Sequence, residues 1–356
     1  MDRFSNHDDR DIASPKTAPG GHGGQGGLIN SFVGSIFGKK KNQAASQAGK
    51  AGGPLKLTYQ PYKDDYRFCK NYDGMNIAIT GATGTIGAML VEELLNSSTP
   101  RKIGLFCRDE EKLPLKLLDE ARKPTNDPKK QVYSYEVDFV DALKITNKTH
   151  AMLRNFEGRL DAIFFCHGVI NFMGGVDGNL PEWDLIQKIN VRSTMHILSI
   201  CMPFLRITKG SATVLSSSAG EKPWPGHTIY NTAMASLNMM VRCAALENTA
   251  YGVRINAVAP GYVRSETARS NPEFHNALTR KQNQAIIAES SMNTPLLGYV
   301  PPKKNEDGEG IYIYQITEPE DVAAQLLWLG SNHATFVTGE VLIIDGGLHV
   351  SSNGYE

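Results

Sequence analysis

Disulfides, zinc sites and membrane spans find little to build on in this sequence. Its five cysteines (Cys69, Cys107, Cys166, Cys201, Cys243) form no CxxC pair and stand at no zinc spacing from a histidine. They read as reduced thiols of a cytosol-like compartment, so a cytoplasmic protein without a metal is expected. No apolar run approaches the roughly 18 residues that a transmembrane helix needs. An excess of one charge sign is missing too: Lys+Arg and Asp+Glu number 37 each. Nothing global therefore draws the chain to nucleic acid or to an anionic membrane. The opening "MDRFSNHDDRD" is acidic and polar, unlike a secretory or mitochondrial leader. Self-similarity of solenoid period is absent as well.

What remains is the composition of an ordinary globular protein, 41% hydrophobic and 21% charged over 356 residues, enough for a sizeable core. The composition changes along the chain. Residues 1–73 are poor in periodic hydrophobics and carry "PGGHGGQGG" and "AASQAGKAGG". Such stretches bury too little apolar surface to offset their ordering entropy, so a mostly disordered extension is predicted there. One island interrupts it, "LINSFVGSIFGKKK". Leu28, Ile29, Phe32, Val33, Ile36 and Phe37 gather on one half of a helix over 28–38, and three lysines follow. Two readings stand: docking of 28–41 to a protein or membrane surface, or a helix folded back on its own domain or a chance pattern, since its glycines weaken it. The stretch "YQPYKDDYRFCKNY" is aromatic enough to pack along the domain edge or against another subunit.

From residue 74 to 356 the pattern is strand, helix, strand, helix. The runs "MNIAIT", "KIGLF", "QVYSYEV", "LDAIFF", "ATVLS", "RINAVA" and "EVLII" are short, bounded by turn residues and separated by helix-length segments. Seven such runs imply a doubly wound α/β domain, a Rossmann fold with a seven-stranded parallel sheet flanked by helices. Long helices are predicted from "DLIQKINVRSTMHILSICMPFL" and "YNTAMASLNMMVRCAALENTA".

The first βα turn reads "ITGATGTIG". Thr80, Gly81, Thr83, Gly84, Thr85, Ile86 and Gly87 lie between a strand and a helix. Glycines there let the backbone approach a pyrophosphate, which the helix N-terminus favours. Further landmarks follow in order: Asp138 with its neighbour Phe139 after the third strand, Asn190 in "INVRST", and Ser217 in "LSSSAG". Tyr230 stands 13 residues after Ser217, and "INAVAPGYVRS" and "VTGEVLIIDGG" close the set. In these residues the chain resembles the short-chain dehydrogenase/reductase family over roughly three quarters of its length. The resemblance implies an oxidoreductase acting on a small carbonyl/alcohol pair. Tyr230 would be its acid/base, Ser217 would polarise the carbonyl, Asn190 would support a proton relay, and Asp138 would meet the adenine ring. It also implies a homodimer or homotetramer paired through the asparagine and tyrosine helices.

Four departures from the family pattern matter. Glycines stand at 81, 84 and 87 rather than 81, 85 and 87. The second strand ends with Cys107 and Arg108 instead of an acid; an acid would accept from a ribose 2′-OH, whereas an arginine suits a 2′-phosphate, so NADP(H) is expected over NAD(H). The fourth strand ends "FCHG" where "NNAG" is usual, and His167 is either a functional group near the cofactor or a packed residue. Finally, Met234 stands four residues after Tyr230, in the place of the family's lysine. Residues i and i+4 share a helix face, and bringing a phenol from near 10 to a neutral working pH takes about 3–4 kcal/mol. Methionine offers no charge for this. Two functions therefore stand: an active oxidoreductase, or a catalytically impaired relative serving as a nucleotide-binding or assembly subunit. An enlarged substrate loop at about 262–317 reads as a lid, an interaction insert or a mobile surface loop. Trp224 lines the expected substrate mouth or packs beneath that loop.

Overall fold

The computed structural model describes residues 72–124, 131–170, 175–263 and 317–350, with the backbone of 303–304 and 310–311. The extension up to residue 71, including 28–41, and most of the 262–317 loop lie outside them. Seven parallel strands form one sheet: β1 (Asn76–Thr80), β2 (Lys102–Cys107), β3 (Val132–Glu136), β4 (Ala162–Phe165), β5 (Ser211–Leu215), β6 (Arg254–Pro260) and β9 (Val341–Ile344). Their order across the sheet is β3-β2-β1-β4-β5-β6-β9. Each of the seven runs predicted from the sequence is one of these strands. A separate antiparallel pair joins β7 (Lys303–Lys304) to β8 (Gly310–Ile311).

Helices cover both faces: α1 (Thr85–Ser97), α2 (Leu115–Arg122), α3 (Ala142–Asn155), α4 (Leu180–Ile186), α5 (Ser193–Thr208), α6 (Thr228–Asn248) and α7 (Pro319–Gly330). The pleat sends alternate strand residues to opposite layers. In β1 and β4, Ile77, Ile79, Ala162 and Phe164 enter the core shared with α1 and α7. Ala78, Ile163 and Phe165 enter the core shared with α3, α5 and α6. Burial on both sides explains why these strands read as continuous apolar runs. Tyr72 belongs to the first core: it is fully buried, its ring meets Phe164 edge-on at 6.0 Å, and its hydroxyl donates to Leu327 O at 2.5 Å.

The long helix read from "DLIQKINVRST" is interrupted by a π-helical turn over Gln187–Arg192, between α4 and α5. Such turns redirect side chains and often lie at functional sites. At the opposite end of the sheet, Arg254 donates to two carbonyls at the end of α7, Leu329 at 2.6 Å and Gly330 at 3.1 Å, and to two just beyond it, Ser331 at 2.9 Å and Ala334 at 3.0 Å.

Candidate active site

The strand order reverses between β1 and β4, and in such sheets ligands bind beyond the carboxyl ends of the strands at that point. The sequence-predicted residues from the strand ends gather along this edge. After Thr80 the chain turns at Gly81, whose φ of +68° favours glycine. A Cβ there would lie 2.7 Å from the Cys166 carbonyl group and the His167 nitrogen, and one on Gly87 would lie 2.1 Å from Gly81 O. Gly84 is less constrained, with its nearest neighbour, Gly81 O, at 3.2 Å. It begins α1 without a side-chain cap, and the first turn of α1 holds no acid. That combination leaves the helix N-terminus suited to a negatively charged group. Thr83, Thr85 and Ile86 are half-exposed around it.

Arg108, just past β2, is exposed and has no partner among the described residues. Cys107 beside it is buried, which pushes its thiol up to about 12, so it is a packed neutral residue. Asp109 turns back on its own loop and accepts from Glu111 N at 3.1 Å. Asp138 is exposed after β3 and accepts from Val140 N at 3.1 Å. The following Phe139 is buried, and its ring stacks on His167 with centroids 4.0 Å apart and planes 10° apart.

Asn190, in the π-helical turn, is buried and grips the chain after β4: its Oδ1 accepts from Val169 N at 2.9 Å and its Nδ2 donates to Val169 O at 2.8 Å. Ser217 follows β5. The short turn after it, Ser218–Gly220, lies against α6 so closely that a Cβ on Gly220 would come 2.8 Å from the Met234 carbonyl carbon. Ser216 Oγ donates to Asn238 Oδ1 at 2.5 Å, and Asn238 and Arg242 both donate to Glu221. These contacts clamp the serine segment onto α6, with Ser217 near enough to the Tyr230 phenol to act on its acidity. Burial pushes the Tyr230 phenol above its ordinary value, and Ser217 only partly opposes this. Met234, one turn on, is buried in the core. Trp224 meets Tyr262 edge-on at 5.9 Å.

The site includes contacts that sequence reasoning did not foresee. Thr80 Oγ1 and Ser193 Oγ each lie 2.6 Å from a His167 ring nitrogen. Val169 is Asn190's partner. These contacts span 21 to 87 residues of sequence, and the unusual "FCHG" was the one signal that pointed to them. Among the described residues, no group of three or more His, Cys, Asp or Glu is arranged to hold a metal, and no helix is long and apolar enough to cross a membrane.

A family model described as enoyl-(acyl carrier protein) reductase matches residues 110–296 and 286–349, most of the chain. The chain belongs to the short-chain dehydrogenase/reductase family. A tropinone reductase homologue of Arabidopsis thaliana is 25% identical over 284 residues, 80% of this chain and 96% of that protein. Among solved structures, a short-chain type dehydrogenase/reductase from Mycobacterium ulcerans is 21% identical with a TM-score of 0.62, over 79% of this chain and 92% of that one. A tyrosine-to-phenylalanine variant of ElxO with NADPH bound is likewise 21% identical with a TM-score of 0.60, over 77% and 98%. This short-chain dehydrogenase/reductase thus carries its family's oxidoreductase fold.

Proposed function

We propose that this protein is an NADP(H)-preferring oxidoreductase that reduces a small carbonyl compound, with Tyr230 as proton donor. The observation that carries the reading is the glycine turn, whose backbone leaves no room for side chains at 81 and 87, together with the clamping of the Ser217 segment onto the helix of Tyr230. The turn and the uncapped start of α1 fit a dinucleotide's pyrophosphate, with Asp138 on the adenine side and Arg108 toward a 2′-phosphate. When bound, the dinucleotide supplies the hydride. Ser217 polarises the carbonyl and Tyr230 donates to the oxygen as negative charge develops. Asn190 contributes by holding the Val169 segment, since both ends of its side-chain amide are already engaged there.

Without a lysine at 234, and with burial raising its pKa, Tyr230 keeps its proton at neutral pH. A protonated phenol can donate but cannot act as a base, so reduction is the direction open to it at neutral pH, and its raised pKa makes it a weak acid in that step. Pairing through α5 and α6 into a homodimer or homotetramer belongs to the same reading; Met195, Met239 and Leu246 are exposed on these helices. So does the division into an extension, 1–73, and a catalytic domain, 74–356. A second reading, a nucleotide-binding or assembly subunit with impaired chemistry, is favoured by one observation: buried Met234 offers no cation to the tyrosine.

Titration with NADPH and NADH, followed by turnover on a carbonyl panel, tests both. Tighter binding of NADPH, with turnover lost in Tyr230→Phe, is expected. Tight binding without wild-type turnover, and activity gained in Met234→Lys, would select the second reading. Binding of neither nucleotide would overturn both the enzyme and its cofactor.

A further inference from the structure

His167 ends β4 in a place where the family pattern has alanine, and it touches three walls of the site. Its ring is buried, stacked on Phe139 next to Asp138. One ring nitrogen, Nδ1, lies 2.6 Å from Thr80 Oγ1, the last residue before the glycine turn. The other, Nε2, lies 2.6 Å from Ser193 Oγ and 3.4 Å from Thr194 Oγ1, just after Asn190.

Counting protons fixes the direction of these bonds. Ser193 donates its hydroxyl proton to Ile189 O at 2.6 Å, and Thr194 donates its own to Asn190 O at 2.8 Å. Both oxygens can then only accept from the ring, so Nε2 carries the hydrogen. Nδ1 is the acceptor, and Thr80 donates to it. Burial depresses the imidazole to about 3, which keeps it in this neutral form. A chain of hydrogen bonds therefore runs from Thr80 through the ring and Ser193 to the carbonyl of Ile189, the residue before Asn190.

We infer that His167 is a positioning residue that locks the dinucleotide-binding turn in register with the helix carrying Asn190. The inference rests on the reading that this turn takes a dinucleotide. Thr80 is the arm that serves nucleotide affinity, because it fixes where Gly81 begins the turn. Ser193 is the arm that serves turnover, because it fixes the π-helical turn from which Asn190 holds Val169.

Three variants of the full chain separate these arms: His167→Ala, His167→Asn and His167→Gln. Asparagine places an acceptor near the position of Nδ1, and glutamine places a donor near that of Nε2. His167→Ala should raise the NADPH Kd about tenfold and lower kcat about tenfold, one hydrogen bond's effect on each. His167→Asn should recover most of the Kd but not kcat, and His167→Gln most of kcat but not the Kd. Unchanged Kd and kcat in His167→Ala would overturn the inference. So would equal losses in all three variants that merely follow their melting temperatures, since that pattern marks simple packing. Amide exchange in the nucleotide-free protein keeps this inference apart from the functional reading. Faster exchange at Gly84 and Val169 in His167→Ala, in a wild type that binds neither NADPH nor NADH, would support the lock while the functional reading fell. Exchange unchanged at both amides would overturn the lock whatever the protein binds.

Discussion

At the end of β1, two glycines are fixed by backbone atoms that any added carbon would strike. In the first half of α6, Met234, one turn after Tyr230, is an uncharged side chain packed into the core. In the proposed site the two regions answer to different physics. The turn depends on excluded volume and dihedral freedom, which tolerate almost no substitution. The tyrosine depends on a nearby charge, which can disappear while every atom of the geometry stays in place. A site of this kind can therefore lose tuning long before it loses shape.

Three measurements sharpen that contrast. The turn should respond most. Gly81→Ala forces a side chain into a left-handed φ and onto the Cys166–His167 backbone, a cost of about 3 kcal/mol or more. Its melting temperature should fall by at least about 6 °C, with NADPH affinity reduced about a hundredfold or more. Gly84→Ala, which meets only a 3.2 Å contact, should stay within about threefold of wild type in the same titration. If the two alanines behaved alike, the volume argument would be wrong.

Charge comes next. Met234→Lys should raise the rate of hydride transfer at pH 7 about ten- to a hundredfold, the effect of about 1.4–2.8 kcal/mol at the tyrosine, and adding Tyr230→Phe should abolish the gain. The pH profile carries the sign. In wild type the raised phenol must be deprotonated to act as a base, so alcohol oxidation should climb with pH well past neutrality. The lysine variant should reach its plateau at lower pH. A flat wild-type profile would mean that Tyr230 does not titrate in the rate-limiting step.

Cofactor choice should respond least. Arg108→Ala should weaken NADPH binding about tenfold, the loss of one charge-assisted contact, and change NADH binding less than about twofold. Equal losses for both nucleotides, measured by fluorescence titration, would remove Arg108 from the 2′-phosphate.

The same division explains what was legible in the sequence. Every strand of the main sheet could be read from short apolar runs bounded by turns, because burial on both faces leaves a local signature. The glycine turn and the spacing of Ser217 from Tyr230 were legible for the same reason, as they depend on neighbours in sequence. The π-helical turn was not: "QKINVR" has an ordinary helical composition, and its extra residue shows only in where the carbonyls find partners. Nor was the group of Thr80, Phe139, His167 and Ser193, which the fold assembles from β1, the end of β3, the end of β4 and α5. For Asn190, position could be read from the local motif but employment could not: its amide holds Val169 rather than pointing free into the site.

A helix leaves its last four carbonyls without partners; in α7, Arg254 at the start of β6 takes those of Leu329 and Gly330, and Tyr72 takes that of Leu327. Fraying of α7 from that end breaks hydrogen bonds to a side chain held at the start of β6, so opening of the two elements is expected to be coupled. Amide exchange in the last turn of α7 is therefore expected to follow that of β6.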